Sequence, residues 1–303
     1  MTDTQTTAPE RSNVIAAILN ALGPLVPARF RADVPVVPVV RLAGVIGAGV
    51  PLRPGLTLAS VARSLDKAFA VRGARAVALL INSPGGSPAQ SHLIYRRVRQ
   101  LAEEKHLPVI AVVEDVAASG GYMIACAADD IVCDTFSIVG SIGVVGGSFG
   151  FVKLMDKVGV ERRLYTSGDR KVMLDPFLPE KPDDVKRLKA IQKTMHDGFI
   201  ALVKERRAGK LNGTDKTLFS GEFWTAPAAR EHGLIDAIGD VRGYLRERYG
   251  DKVRTPLIEV GRGLFGRRFP GVGRIEEAFG GSNLGDELVS SVEARAWWSR
   301  YGF

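Results

Sequence analysis

Cysteine, histidine and long apolar runs are all scarce in this chain, and each scarcity narrows its chemistry. Cys126 and Cys133 are the only cysteines in 303 residues. Their spacing fits neither a Cys-x-x-Cys redox pair nor a zinc knuckle. Both lie among apolar neighbours, so they read as buried core thiols, which fits a reducing compartment. No stretch approaches the ~20 apolar residues needed to cross a bilayer. The longest candidate near the start, Val14 to Val26, is interrupted by Asn20, Gly23 and Pro24. It also lacks the basic leader of a secretory signal, because Asp3 and Glu10 outweigh Arg11, and export is disfavoured.

The composition is that of a globular protein with a real core, 46% hydrophobic and 24% charged. The net charge of +8 comes from dispersed basic residues with no nucleic-acid-binding motif beside them. A solvated basic surface is therefore expected, with attraction to anionic lipid as the alternative, and no nucleic-acid partner. There is no internal repeat at solenoid periods.

Three zones divide the chain. Residues 1–32 hold a polar tail and a short amphipathic helix, capped by Ser12 and stopped by Gly23-Pro24. Residues 33–252 alternate strand and helix signals. Apolar β-branched runs at Val36 to Ile46, Ala76 to Ile81 and Pro108 to Val113 read as buried strands, followed by a strand at Asp130 to Cys133. Helical spacing covers Leu58 to Val71, residues 88–105, Gly120 to Ala128, Asp183 to Arg207 and Ala226 to His232. Such alternation implies an α/β fold with a largely parallel sheet covered by helices. Residues 253–303 form an extension rich in Gly and Arg that ends in a helix-like stretch with Trp297, Trp298 and Tyr301.

Strand-to-helix junctions are where chemistry concentrates in such folds. After the Pro108 strand the chain reads Ala117-Ala118-Ser119-Gly120-Gly121-Tyr122, which puts Ser119 at a helix start. Free backbone N–H groups there favour developing negative charge, and glycines let a substrate approach. Ser119 serves equally well as a helix cap, so this segment alone leaves nucleophile and structural roles open. Asn82-Ser83-Pro84-Gly85-Gly86 is a second glycine turn after a strand, with N–H groups that could join an oxyanion site. A serine nucleophile needs a base. His92, His106, His196 and His232 each read as surface or capping residues, and spacing alone cannot select one lysine from 41 basic residues.

Taken together, Ser83-Pro84-Gly85-Gly86, Ala118-Ser119-Gly120-Gly121-Tyr122, Gly140-Ser141-Ile142-Gly143-Val144, Ser167-Gly168-Asp169-Arg170-Lys171 and Gly221-Glu222-Phe223-Trp224-Thr225 with Gly233-Leu234-Ile235-Asp236 form an ordered set. In that order they resemble the protease IV family, also called signal peptide peptidase A, in its short single-domain bacterial form. The resemblance covers about residues 37–250. It implies a Clp protease/crotonase-like fold of β-β-α units that assemble into rings. It also implies Ser119 as nucleophile, Lys171 as general base and Ser141 as the residue that orients the lysine. Gly120, Gly85 and Gly86 map to the oxyanion region. No cofactor or metal is implied, substrates would be apolar peptides such as remnant signal peptides, and the lysine would come from a neighbouring protomer. Best-known members carry an N-terminal transmembrane anchor that this chain lacks, so the expected location is the cytoplasm or the inner-membrane surface by peripheral contact. A crotonase-like acyl-CoA enzyme and a catalytically silent ring protein are the alternative readings.

Overall fold

The computed structural model describes residues 34–47, 55–168, 170–260, 296 and 298–302. The expected helix around Val14 to Leu22 and most of the extension after Thr255 lie outside the described residues.

Eight strands of the described chain form one sheet: β1 (Val39–Ala43), β2 (Val77–Ser83), β3 (Val109–Ala118), β4 (Asp130–Cys133), β5 (Ile138–Gly140), β6 (Phe223–Thr225), β7 (Ala237–Ile238) and β8 (Leu257–Ile258). The helices are α1 (Leu58–Phe69), α2 (Pro88–Lys105), α3 (Gly120–Ala125), α4 (Val152–Val158), α5 (Pro182–Arg206), α6 (Asp215–Leu218), α7 (Ala226–Glu231) and α8 (Val241–Tyr249). The strand order is β6-β5-β3-β2-β1-β8, and β4 lies between β3 and β7. Only β5 and β6 pair antiparallel.

The central strands are apolar on both faces because both faces are covered. Val40, Leu42, Leu79, Ile81, Ala111 and Val113 pack under α1, α2 and α3. Alternate residues Val39, Ala78, Ile110 and Val112 face Leu245 of α8. Local signals set the helix ends. Thr57 and Ser60 make a reciprocal capping box for α1, and α2 starts at Ser87-Pro88 and ends at a left-handed His106.

β3 runs five residues further than its apolar run suggests, right up to Ser119. Its first part pairs with β4, through Ile110 to Val113, and its last part with β5, through Val116 to Ala118. Glu114 and Asp115 sit at the changeover. Arg41 pairs with Glu114 at 2.9 Å, and Asn82 donates to Asp115 at 2.5 Å, so neither carboxylate ends the strand. A central strand that changes partner in mid-course suits the staggered stacking of β-β-α units, and the chain has the Clp protease/crotonase-like α/β fold.

A second region is built differently. No described residue from Gly143 to Gly198 is buried. α4 buries nothing, and α5 buries only Phe199, Leu202 and Val203 in its last two turns. This arm holds together through a small aromatic cluster. Phe151 stacks on Phe177 at 5.3 Å, the Phe151 N–H donates to the Pro176 carbonyl, and Arg162 lies over the Phe177 ring while pairing with Asp175. The Phe177 N–H and Arg162 hold the Asp175 carboxyl below the usual carboxylate range.

Candidate active site

The site is built on the hinge between β3 and α3. Ser119 occupies that hinge with φ 51° and ψ −119°, a conformation that costs a non-glycine residue about 1–3 kcal/mol. It persists because both sides are clamped. The Ser119 N–H donates to the Gly140 carbonyl at 2.8 Å, and the Ser119 carbonyl accepts from Met123 at 3.0 Å. Ala117, Ala118, Tyr122 and Ile124 around it are fully buried. The Ser119 hydroxyl does not cap α3, and it has no hydrogen-bond partner among the described residues. The capping role that sequence left open is therefore not the one adopted.

The glycine turn after β2 lies directly against this hinge. Gly85 has φ +102°, and a Cβ there would stand 2.8 Å from the Ser119 Cβ and 3.0 Å from the Gly120 nitrogen. Gly120 is equally constrained, since a Cβ would come within 2.2 Å of the Ser91 hydroxyl. The β2 turn thus reaches the hinge only because Gly85 carries no side chain. Their N–H groups differ. Gly85 donates to the Ser83 hydroxyl at 3.2 Å, whereas Gly86 and Gly120 have no acceptor among the described residues.

Ser141 is placed one residue beyond the Gly140 carbonyl that holds Ser119. It is buried with φ 52°, and its N–H donates to the Glu222 carbonyl at 2.6 Å. Glu222 and β6 therefore fix the Ser141 backbone, with the Trp224 ring over Gly140. The Ser141 hydroxyl has no partner among the described residues.

Lys171 stands apart. It lies in an exposed turn of the arm, with its own N–H donating to the Gly168 carbonyl at 3.1 Å. Its ammonium makes no hydrogen bond or ion pair with any described residue, and none joins it to Ser119 or Ser141. The fold brings together Ser119, Gly85, Gly86, Gly120 and Ser141, and no hydrogen bond links Lys171 to this group.

The histidines are occupied elsewhere. His92 stacks on Tyr95, His106 ends α2, His196 bonds the Ile142 carbonyl at 3.0 Å, and His232 bonds the Asn212 carbonyl and packs on Trp224. Both cysteines are buried and unpaired, and burial pushes the Cys126 thiol up to about 12 and Cys133 higher still.

A clamp beneath α3 was not legible in sequence. The Tyr122 hydroxyl donates to the Leu234 carbonyl at 2.7 Å. Close by, Arg207 forks onto the Gly233 carbonyl and pairs with Asp236 at 2.7 Å, and Lys210 meets the other carboxylate oxygen at 2.6 Å. Burial opposes ionisation of Asp236, but Arg207, Lys210 and the Ile131 N–H override it and hold its carboxyl below the ordinary range. Arg207 looked like one more charge at the end of a charged helix. Only its position opposite Gly233 and Asp236 singles it out.

Comparison with known proteins places the chain in a family. The profile of Peptidase family S49 matches residues 101–249. A Synechocystis protein named as a protease is 31% identical over 192 residues, covering 61% of this chain and 68% of that protein. The chloroplastic serine protease SPPA of Arabidopsis thaliana is 35% identical over 167 residues, 54% of this chain and 24% of that protein. A Brucella abortus protein named Na(+)/H(+) antiporter NhaA is 56% identical over 297 residues, 96% of this chain, and the chain spans 40% of its length. The chain belongs to peptidase family S49, the protease IV/signal peptide peptidase A family.

Proposed function

We propose, with that membership as the premise, that the chain is a serine endopeptidase whose Ser/Lys dyad is completed between protomers. The observation that carries the reading is the Ser119 backbone, strained at φ 51° with its hydroxyl unpartnered. A capping or packing serine has no use for that conformation, whereas a nucleophile presented above a strand end does.

In this reading neutral Lys171 of a neighbouring protomer takes the proton of the Ser119 hydroxyl as the oxygen attacks a peptide carbonyl. The carbonyl oxygen, now negative, is held by the N–H groups of Gly120 and Gly86. The protonated lysine then gives its proton to the leaving amine, and water hydrolyses the acyl-enzyme by the same route. Gly85 serves by shape: its own N–H is engaged, and its missing side chain leaves room beside the Gly120 nitrogen. The unpartnered Ser141 hydroxyl, one residue from the Gly140 carbonyl, is suited to receive and orient the incoming neutral amine.

Two features support assembly. No hydrogen bond joins Lys171 to Ser119 within one chain. The arm that bears it exposes Val145, Leu154, Val158, Val160 and Tyr165, each more than half accessible, with no core of its own. A surface of that kind is covered in a stable assembly. Substrates are extended apolar peptides, remnant signal peptides among them, and no cofactor takes part. Work at a membrane surface by peripheral contact is supported by the basic net charge of +8 and by the Brucella relative, which carries this stretch in a polypeptide named for ion antiport. No helix among the described residues is long and apolar enough to cross a membrane.

The test is labelling with a fluorophosphonate probe together with hydrolysis of an apolar peptide ester. Wild type is expected to label and hydrolyse, and Ser119→Ala and Lys171→Ala to do neither. Undiminished labelling of Lys171→Ala sinks the dyad, and activity surviving in Ser119→Ala points to a crotonase-like enzyme instead.

A further inference from the structure

The arm joins the packed half through two roots. The outgoing root is Ile142-Gly143, and Ile142 is the last buried residue before the arm begins. The returning root is α5, which enters the core at Phe199 and stays there through Leu202 and Val203. Gln192, His196 and Phe199 recur at helical spacing and share one face of α5. The Gln192 amide nitrogen lies 3.0 Å from where a Gly146 Cβ would stand, and His196 Nε2 lies 3.0 Å from the Ile142 carbonyl oxygen. A carbonyl only accepts, so Nε2 carries the hydrogen of this bond.

That carbonyl bears directly on Ser141. The Ser141 backbone is left-handed, with φ 52°, which a serine keeps only where its surroundings fix it. Its N–H is held by the Glu222 carbonyl at 2.6 Å. Its own carbonyl accepts from the Gly143 N–H at 2.9 Å, which closes a tight turn centred on Ile142. The Ile142 carbonyl projects from that turn, and His196 is its only hydrogen-bond donor among the described residues. Without the ring, this carbonyl loses its partner beside a fully buried side chain, and the turn must shift to find another.

We propose that His196 is a positioning residue of the peptidase: by holding the Ile142 carbonyl, it fixes the turn that aims the Ser141 hydroxyl at the incoming lysine. The inference rests on the orienting role of Ser141 in the proposed dyad. It gives a histidine in a serine peptidase a task other than that of the base, because the ring bonds a backbone oxygen and makes no hydrogen bond to Ser119.

The experiment compares the full chain as wild type with His196→Gln, His196→Leu, Ser141→Ala and the double variant Ser141→Ala/His196→Leu. Kinetics on an apolar peptide ester and the rate of fluorophosphonate labelling are read, and thermal unfolding checks that each variant is folded. A glutamine amide can place an N–H where Nε2 stands, whereas leucine offers none. His196→Leu should lower kcat about tenfold or more with KM within about twofold, because the loss falls on proton transfer and not on peptide binding. Labelling should slow in step. His196→Gln should recover activity to within about threefold of wild type. In the Ser141→Ala background, His196→Leu should change kcat by less than about twofold, since the residue it acts through has gone. An unchanged kcat in His196→Leu, an equal loss with and without Ser141, or no recovery by glutamine overturns the assignment. Should His196→Leu not fold, His196→Asn, whose amide stops short of the carbonyl, is judged by the same outcomes. Wild-type kcat in Ser141→Ala removes the orienting role itself and His196 with it, whereas a slow Ser141→Ala beside an unimpaired His196→Leu removes His196 alone.

Discussion

The two halves of the molecule hold their functional residues in opposite ways. Ser119 sits where β3, the β2 turn, β5 and α3 converge, with fully buried neighbours and both backbone groups engaged. Lys171 sits on an arm in which no described residue from Gly143 to Gly198 is buried. The first half can store backbone strain because its surroundings over-determine the geometry. The arm has one such backbone, at Leu174 with φ 58°, but in a segment without a buried residue, and its exposed apolar side chains would suit cover by another surface. A nucleophile needs rigidity in its own protomer, whereas a base supplied from outside needs reach.

The contrast can be broken most strongly at its two ends. Ser119→Gly should abolish ester hydrolysis, a loss of at least ~10³-fold, yet raise stability by about 1 kcal/mol, because glycine adopts the positive φ without strain. Lys171→Ala should lose activity to a similar degree with stability unchanged within about 0.5 kcal/mol. Thermal unfolding beside kinetics separates the two, and a Ser119→Gly protein less stable than wild type would show that the strain is not real.

A smaller effect is expected at the clamp beneath α3. Asp236→Asn leaves Arg207, 2% exposed, without its counter-charge and should cost about 3–5 kcal/mol in urea unfolding. Because the folded carboxyl titrates below its unfolded value, its stabilisation is present above about pH 4 and is lost as pH falls through the folded pKa. The variant should lose that part of the acid dependence. A flat response to the substitution would mean that Lys210 and Arg207 do not rely on this carboxylate.

Mixing sharpens the comparison further. Co-expressed Ser119→Ala and Lys171→Ala chains, each inactive alone, should regain about a quarter of wild-type activity if sites form at random between neighbours in a ring. No recovery would confine the dyad to one chain. Smallest of all, Leu154→Ser with Tyr165→Ser should leave protomer stability within about 0.5 kcal/mol of wild type while reducing the assembled fraction in sedimentation. A large drop in stability would show that these side chains pack within the protomer.

Much of the packed half was legible in the sequence, because continuous apolar runs, capping residues and glycine turns are local signals. The helix over residues 88–105 falls where its pattern places it, and Ser119 follows from strand, glycines and helix start. The length of β3 was not legible. Glu114 and Asp115 read as a strand end, and only their partners Arg41 and Asn82, far away in sequence, keep the strand going. Ser141 and the Gly221-Glu222-Phe223 segment carried no local signal beyond the family pattern, since their meeting depends on β5 and β6 pairing across about 80 residues. The arm defeats local reading differently: its apolar residues have no periodic face, and none of its described residues from Gly143 to Gly198 is buried.

The change of partner along β3 also sets a timescale. The Ser119 amide is bonded to Gly140 at the end of a strand that both β4 and β5 depend on, so exchange of that hydrogen with solvent requires the sheet itself to open. Amides of α4 need only local fraying. In hydrogen exchange the Ser119 amide should belong to the slowest unit of the protein and the arm to the fastest, so the geometry of this serine should last as long as the folded state does.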